Sequence, residues 1–179
     1  MECSRALMWG VGGSTHGRHA ELYRAGVTVS LGTDSSNWAN SFDIGQAAAL
    51  AILAARDGRL NRSILTAEHG LETATINGAL ALGLAVRIGS LVPGMRADFV
   101  IRSESIPEAQ PRMDPIAAMI EATISKSVNT VVIDGRVVLE GGQPLLVDAP
   151  SVYRAMDGAA RAVLGRMGYR TPRRWPLIT

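Results

Sequence analysis

The first half of the chain shows helical and strand-like spacing of apolar residues in turn. Residues 19–25 have the spacing of a short helix, and Val27–Leu31 is a β-branched run bounded by glycine, which predicts a buried strand. The small polar residues 32–37 then predict a loop. Asp43 precedes the Ala- and Leu-rich stretch Ile44–Arg56, which predicts a capped helix. This helix–strand–loop–helix unit places polar residues just past the C-terminal end of its strand, where α/β sheets carry their chemistry.

The second half changes from helical spacing to shorter elements. Ser63–Leu82 has the apolar spacing of a helix, and Thr66 followed by His69 does not match the usual capping box. Asp114, which stands before a proline, marks another helix start. Three short strands are predicted, the last two joined by a hairpin turn at Asp134-Gly135: Asp98–Ile101, Ser127–Ile133 and Arg136–Leu139.

The C-terminal stretch Pro150–Met167 has the pattern of an amphipathic helix. The residues after it include two prolines and two adjacent arginines, which predict a loosely packed, solvated tail. The helix's apolar stripe is predicted to face the core and consists of Val152, Met156, Ala160, Val163 and Leu164.

Composition narrows the class of protein. With 47% hydrophobic and 19% charged residues the chain is not disordered, and its 179 residues fall short of the roughly 250 of a complete eight-fold β/α barrel. The net charge of +2 without a basic cluster predicts no nucleic-acid partner.

Cys3 is the only cysteine, which excludes an internal disulfide framework and predicts a cytoplasmic location. The longest apolar run, Ala47–Ala55, is far shorter than the roughly 20 residues that span a bilayer, so no membrane association is expected.

Three segments carry a family pattern in a fixed order. They are GVTVSLGTDSSN (26–37), ETATINGALALGL (72–84) and IGSLVPGMRADFVI (88–101), and the last is followed by the hairpin VNTVVIDGRVVLEGG (128–142). Together they resemble the C-terminal part of the metal-dependent amidohydrolase superfamily, in its cytosine-deaminase-like and chlorohydrolase-like branch. The resemblance covers most of residues 20–142.

The resemblance implies an α/β fold: an incomplete TIM-type (β/α)8 amidohydrolase barrel, represented by its last βα unit and helices, plus a small β-rich flanking domain. On this interpretation residues 1–86 form the C-terminal portion of the barrel, 87–148 a segment of the β-rich composite domain, and 149–179 the C-terminal helix and tail. It also implies a hydrolase or deaminase that acts on C–N or C–halogen bonds of a small, heterocyclic molecule.

Asp34 is the candidate catalytic residue. By the resemblance it is the carboxylate at the end of the last barrel strand, where it binds the catalytic metal, zinc or iron, and shuttles a proton. A metal lowers the pKa of bound water, and a carboxylate beside it can take the proton released. The residues alone favour an ordinary loop or capping aspartate at this position. Ser35, Asn37 and Trp38 follow it and are candidate substrate contacts, or a capped loop with an aromatic lid.

The chain departs from the family in its histidines. The family's site needs an H-x-H pair and further histidines, whereas this sequence has three histidines and no H-x-H. We therefore expect a fragment whose other ligands would lie before Met1, inactive and free of metal in isolation, and self-associating or bound to the missing N-terminal portion. The alternative is a non-catalytic folded fragment or assembly module that binds no metal.

Other candidate sites have simpler interpretations. His16 and His19 form H-x-x-H, which could place two imidazoles on one helix face, although a loop and a helix start fit the pattern better. His69 is expected at a surface or helix end. The glycines of residues 10–13 lack the third glycine of a dinucleotide fingerprint. Cys3 has no supporting base nearby in the sequence.

Overall fold

The computed structural model describes residues 13–35, 40–170 and 174–175. Within them the N-terminal half is helical, and the part after residue 98 combines a small antiparallel sheet with short helical turns, so the chain is an α/β protein. The helices of the first half are α1 Gly13–His16, α2 His19–Arg24, α3 Ile44–Gly58, α4 Ala67–Ala74 and α5 Ile76–Ala81.

The sheet contains four strands in chain order, each antiparallel to the next. Asp134 and Gly135 both have positive φ, 51° and 77°, as the two-residue turn between β2 and β3 requires. The predicted strands and hairpin are therefore confirmed. The strands are β1 Phe99–Arg102, β2 Val128–Ile133, β3 Arg136–Glu140 and β4 Gln143–Pro144.

A run of short helical turns connects β1 to β2. Asp114 caps the helical turn that begins at Pro115, because its Oδ1 accepts hydrogen bonds from the backbone N–H groups of Ile116 and Ala117 at 3.0 and 2.9 Å. The turns are a 3-10 turn at Pro107–Ala109, helix α6 Pro115–Ala117, a π-helical turn at Ala118–Thr123 and a 3-10 turn at Ile124–Ser127.

The core lies where α3 packs on α4 and on the π-helical turn. It is rich in alanine, and Ile52 is its most deeply buried large side chain. Gly70 makes the close approach possible: a Cβ there would lie 2.6 Å from Ile52 Cδ1 and 3.0 Å from Ile120 Cγ2. The core residues are Ala20, Ala48, Ile52, Ala55, Ile64, Leu65, Ala67 and Ile120.

The predicted strand Val27–Leu31 is wrong as a sheet element. The segment forms only an isolated bridge at Leu31, and Val27 is 48% exposed. A central barrel strand obtains its ladder from two neighbouring strands, and among the described residues the sheet consists of β1 to β4 alone. Its β-branched sequence is therefore not sufficient to form a ladder here.

The predicted helix over 63–82 is two helices, and its start was misread. Thr75, with φ −128° and ψ −95°, separates α4 from α5, and its hydroxyl donates to the Leu71 carbonyl at 2.6 Å. At the start of α4, His69 takes the place of the usual Glu or Gln of a capping box, since its Nδ1 accepts the Thr66 backbone N–H at 3.0 Å. The expectation that Thr66 and His69 form no capping box is therefore wrong.

Helix α7, Ala149–Met167, has the predicted length but not the predicted burial. Asp148 caps it by accepting the Ser151 backbone N–H at 3.3 Å, and none of its residues is buried. The inward-facing stripe predicted for this helix is exposed: Val152 43%, Met156 64%, Val163 44% and Leu164 41%, with Ala160 also exposed. The periodicity identifies an apolar face, and no described element covers it.

None of the helices in the described part of the chain has the length and apolarity needed to span a bilayer.

Candidate active site

The segment leading to the candidate catalytic residue begins at the end of α2. Gly26 has φ +82°, and its N–H donates to the Tyr23 carbonyl at 2.9 Å, while the Val27 N–H donates to the Leu22 carbonyl at 3.0 Å. This paired arrangement closes the helix and needs a left-handed residue, which glycine supplies without strain. The helix therefore ends where it was predicted to end, although Ala25 is its C-cap residue and Gly26 is the left-handed residue that follows.

Helices α4 and α5 hold the segment in place of neighbouring strands. The Leu31 N–H donates to the Thr73 carbonyl at 3.3 Å. The Asn77 Nδ2 donates to the Val29 carbonyl at 3.1 Å, and Ser30 between them is buried. The segment before Asp34 is therefore fixed by one backbone and one side-chain contact with the same helical pair.

Asp34 lies three residues beyond this anchor. It is exposed and has φ +61°, a left-handed conformation that Asp tolerates better than most residues. Its Oδ1 accepts the Ser35 backbone N–H at 2.7 Å, and the Thr33 hydroxyl donates to its carbonyl at 3.2 Å. Among the described residues its other carboxylate oxygen, Oδ2, accepts no hydrogen bond.

The far end of the loop is tied to the β-rich part. Asp43 Oδ1 caps α3 by accepting the Gln46 N–H at 3.0 Å, and its Oδ2 accepts the Ser125 hydroxyl. Ser125 follows Ile124, whose φ of +48° is rare for a β-branched residue. Asp43, which begins α3, therefore contacts the turn before β2.

Of the three predicted substrate contacts, Ser35 alone is among the described residues. Ser35 is exposed and adjacent to Asp34, with its N–H on the Asp34 carboxylate. Asn37 and Trp38 lie outside the described residues, as do Cys3 and most of the glycine-rich stretch 10–13.

His16 and His19 lie on two different helices. His16 is exposed and ends α1, whereas His19 is buried and begins α2, so the H-x-x-H does not lie on one helix face. Within 13–35, 40–170 and 174–175 no three His, Cys, Asp or Glu side chains are close enough together to hold a metal ion. A catalytic zinc takes three protein ligands and a water. These residues alone therefore do not fit such a site.

One polar cluster was not foreseen from the sequence. The Tyr23 hydroxyl donates to Glu72 Oε2, and the Tyr23 ring meets His69 edge-on with 4.9 Å between centroids. Burial, and then the hydrogen bond to Glu72, raise the pKa of Tyr23 to about 12. Tyr23 and Glu72 are 49 residues apart, and no local sequence signal connects them.

An ion pair between Arg59 and Glu21 fixes the start of α2. Arg59 Nη2 lies 2.8 Å from Glu21 Oε2, and Arg59 Nη1 donates to the Thr15 carbonyl at 3.2 Å. The hydrogen bond from Arg59 lowers the pKa of Glu21 to about 2. The contact connects the end of α3 to the helix that precedes the Asp34 segment.

Residues 14–138 match the model of the amidohydrolase family. The match includes the Asp34 segment, the core helices and most of the sheet. The chain therefore belongs to the amidohydrolase family.

Relatives with assigned functions come from the deaminase and chlorohydrolase side of this family. A 5-methylthioadenosine/S-adenosylhomocysteine deaminase of Syntrophomonas wolfei is 31% identical over 145 residues, 81% of this chain and 34% of the relative. An S-triazine hydrolase of Gordonia rubripertincta is 32% identical over 162 residues, 88% of this chain and 34% of the relative. The branch expected from the three sequence segments is confirmed.

Solved structures give the same result. A zinc-bound adenosine deaminase from Xanthomonas campestris superposes with a TM-score of 0.75 at 31% identity, covering 79% of this chain and 33% of that one. The zinc complex of the atrazine chlorohydrolase TrzN from Arthrobacter aurescens gives 0.71 at 28% identity, covering 78% and 31%. The chain thus spans about a third of the length of the relatives it matches.

Proposed function

We propose that this chain is the C-terminal part of a metal-dependent amidohydrolase that hydrolyses a C–N or C–halogen bond of a small heterocyclic molecule. Family membership carries the proposal, since deaminases and triazine hydrolases are among the relatives. The chain is proposed to supply the last βα unit of the barrel (1–86), a segment of the β-rich flanking domain (87–148) and a C-terminal helix and tail (149–179).

Asp34 is the proposed catalytic residue and metal ligand. It follows a segment anchored at Leu31, and the Ser35 N–H occupies its Oδ1, so Oδ2 is the oxygen proposed to accept a proton from the attacking water and return it to the leaving group. Ser35, Asn37 and Trp38 are proposed to contact the substrate. The zinc or iron implied by the family needs imidazole donors in addition to the described residues.

The exposed apolar face of α7 supports a proposal about partners. Large apolar side chains at helical spacing are usually covered, because water contact along a whole helix face is unfavourable. We propose that another copy of the chain, or the remaining part of the barrel, covers this face. The side chains involved are Val152, Tyr153, Met156, Val163, Leu164 and Met167.

A non-catalytic role is the second candidate. The side chains that could bind a metal favour this role for the chain alone, because the described residues contain no cluster of three such ligands. On this alternative the chain is a folded assembly module, and Asp34 is an ordinary loop residue whose carboxylate holds the Ser35 N–H.

Hydrolysis assays separate the two. The purified chain, alone and co-expressed with any polypeptide encoded upstream of Met1, is offered adenosine derivatives and chloro- and amino-triazines, and release of ammonia or chloride is followed. The proposal expects turnover only in the co-expressed form, and loss of it by roughly a thousandfold or more in Asp34→Asn, as for removal of a proton-transferring group. Turnover that Asp34→Asn leaves intact would contradict the role of Asp34, and no turnover in either form would favour the assembly module.

A further inference from the structure

A half-open cavity of about 320 Å³ lies between the end of β1 and the helical turns that precede β2. It is remote in sequence from Asp34, and its lining combines polar groups with an aliphatic wall. Residues Arg102 and Arg112, the hydroxyls of Thr123 and Ser127, and the side chains of Ala118 and Met119 contribute to it.

Arg102 is the central polar group of this cavity. Its Nη1 donates to the Ile124 carbonyl and, at 2.9 Å, to Ser127 Oγ. Ser127 and Thr123 are both 3% exposed, and their hydroxyl oxygens are 3.0 Å apart. Nη1 is therefore held by the Ile124 carbonyl and the buried Ser127 hydroxyl. A guanidinium has five N–H donors in all, and the remaining ones are on Nη2 and Nε.

Among the described residues no carboxylate lies within ion-pair distance of Arg102. The charge of Asp43, which does not line this cavity, acts on Arg102 from a longer distance. Of the two acids that line the cavity, Glu104 pairs with Arg112 at 3.2 Å, and Asp114 Oδ1 accepts two backbone N–H groups of α6. Burial lowers the pKa of Arg102, as expected for a cation withdrawn from water.

We propose that this cavity binds a small organic carboxylate, with the carboxylate on the Arg102 guanidinium and the aliphatic part against Ala118 and Met119. A planar guanidinium suits a carboxylate because two parallel N–H donors can meet its two oxygens. The inference does not depend on the proposed hydrolase activity, since none of its residues belongs to the Asp34 segment.

Isothermal titration calorimetry of the purified chain with sodium butyrate tests the proposal. Butyramide, which has the same shape without the charge, is the matched ligand, and chloride is kept constant. We expect saturable butyrate binding in the millimolar range, typical of a ligand of about six non-hydrogen atoms, and binding of butyramide roughly tenfold weaker or more. Equal binding of the two compounds would overturn the assignment.

Three variants locate the binding. Arg102→Met is expected to abolish it, whereas Arg96→Met, which removes an exposed arginine paired with Asp134 outside the cavity, should leave it unchanged. Ala118→Leu should fill the cavity and weaken binding without touching Arg102, which keeps the test decisive if Arg102→Met does not fold. Ala118 does not border the larger apolar cavity that Arg102 also lines, so unchanged binding in Ala118→Leu would contradict this location.

Discussion

The backbone N–H of Leu31 lies 3.3 Å from the carbonyl oxygen of Thr73, and through this contact helix α4 holds the segment that leads to Asp34. In a closed barrel a strand in this position is held by ladders on both sides. Here the Thr73 and Asn77 contacts fix the path of the chain before the candidate site.

The Asn77 amide is expected to stabilise that path measurably. Asn77→Ala removes the hydrogen bond to the Val29 carbonyl and should lower the free energy of unfolding by about 1 kcal/mol. Asn129→Ala is the control, because the Asn129 side chain is exposed and, among the described residues, accepts only a local bond from the Thr130 hydroxyl. Its effect should stay within about 0.5 kcal/mol. Denaturant titration measures both, and equal stability of the two variants would show that the anchor contributes nothing.

Two glycines in neighbouring helices should respond oppositely to the same substitution. Gly70→Ala drives a Cβ to 2.6 Å from Ile52 Cδ1 and should destabilise the protein by about 1–3 kcal/mol. Gly78→Ala meets nothing within 4 Å in α5 and should stabilise it by about 0.5–1 kcal/mol. Thermal unfolding of the two variants compares them directly, and a shift of the same sign in both would refute the packing argument.

Acid should weaken the contact between α2 and α3. The pKa of Glu21 is lowered from 4.5 to about 2, chiefly by the hydrogen bond from Arg59. A lowered carboxyl pKa stabilises the fold above the unfolded-state value, and this stabilisation declines as pH falls from about 4.5 toward 2. In both Glu21→Gln and Arg59→Gln, the free energy of unfolding should therefore depend less on pH in this window than it does in the wild type. Urea titration at several pH values measures it. A pH dependence that both variants retain in full would show that the pair is not its source.

The exposed face of α7 should cause association. Light scattering of the wild type is expected to show dimers or larger species, and a Met156→Glu, Val163→Glu double variant should shift them toward monomer. An Ala155→Glu, Ala162→Glu double variant places the same two charges away from this apolar face of the helix and should leave association unchanged. A monodisperse wild-type monomer would show that the face is compatible with water.

Local chemistry accounts for the parts of the fold that could be predicted. Asp43 and Asp114 cap helices where a carboxylate precedes a helical stretch, and Asp134-Gly135 turns the hairpin as its dihedral preferences require. Each of these features is decided by residues within four positions, so the sequence alone was sufficient to predict it.

Features that depend on distant partners could not be predicted in the same way. Val27–Leu31 has strand-like composition, but a ladder needs neighbours that residue preference cannot supply. The stripe on α7 shows that the helix has an apolar face, and its spacing contains no information on what covers that face. The position of Asp34 after the segment was predicted, while its anchoring by Thr73 and Asn77 depends on contacts more than 40 residues apart.

Metal content tests the central claim, that Asp34 is a metal ligand whose partners lie outside the described residues. Elemental analysis is made on the chain co-purified with any upstream-encoded polypeptide, for the wild type, Asp34→Asn and the control Asp57→Asn, which changes an exposed carboxylate at the end of α3. We expect about one zinc or iron per chain in the wild type and in Asp57→Asn, and strong depletion of that metal in Asp34→Asn. Metal bound equally by all three proteins would contradict the account.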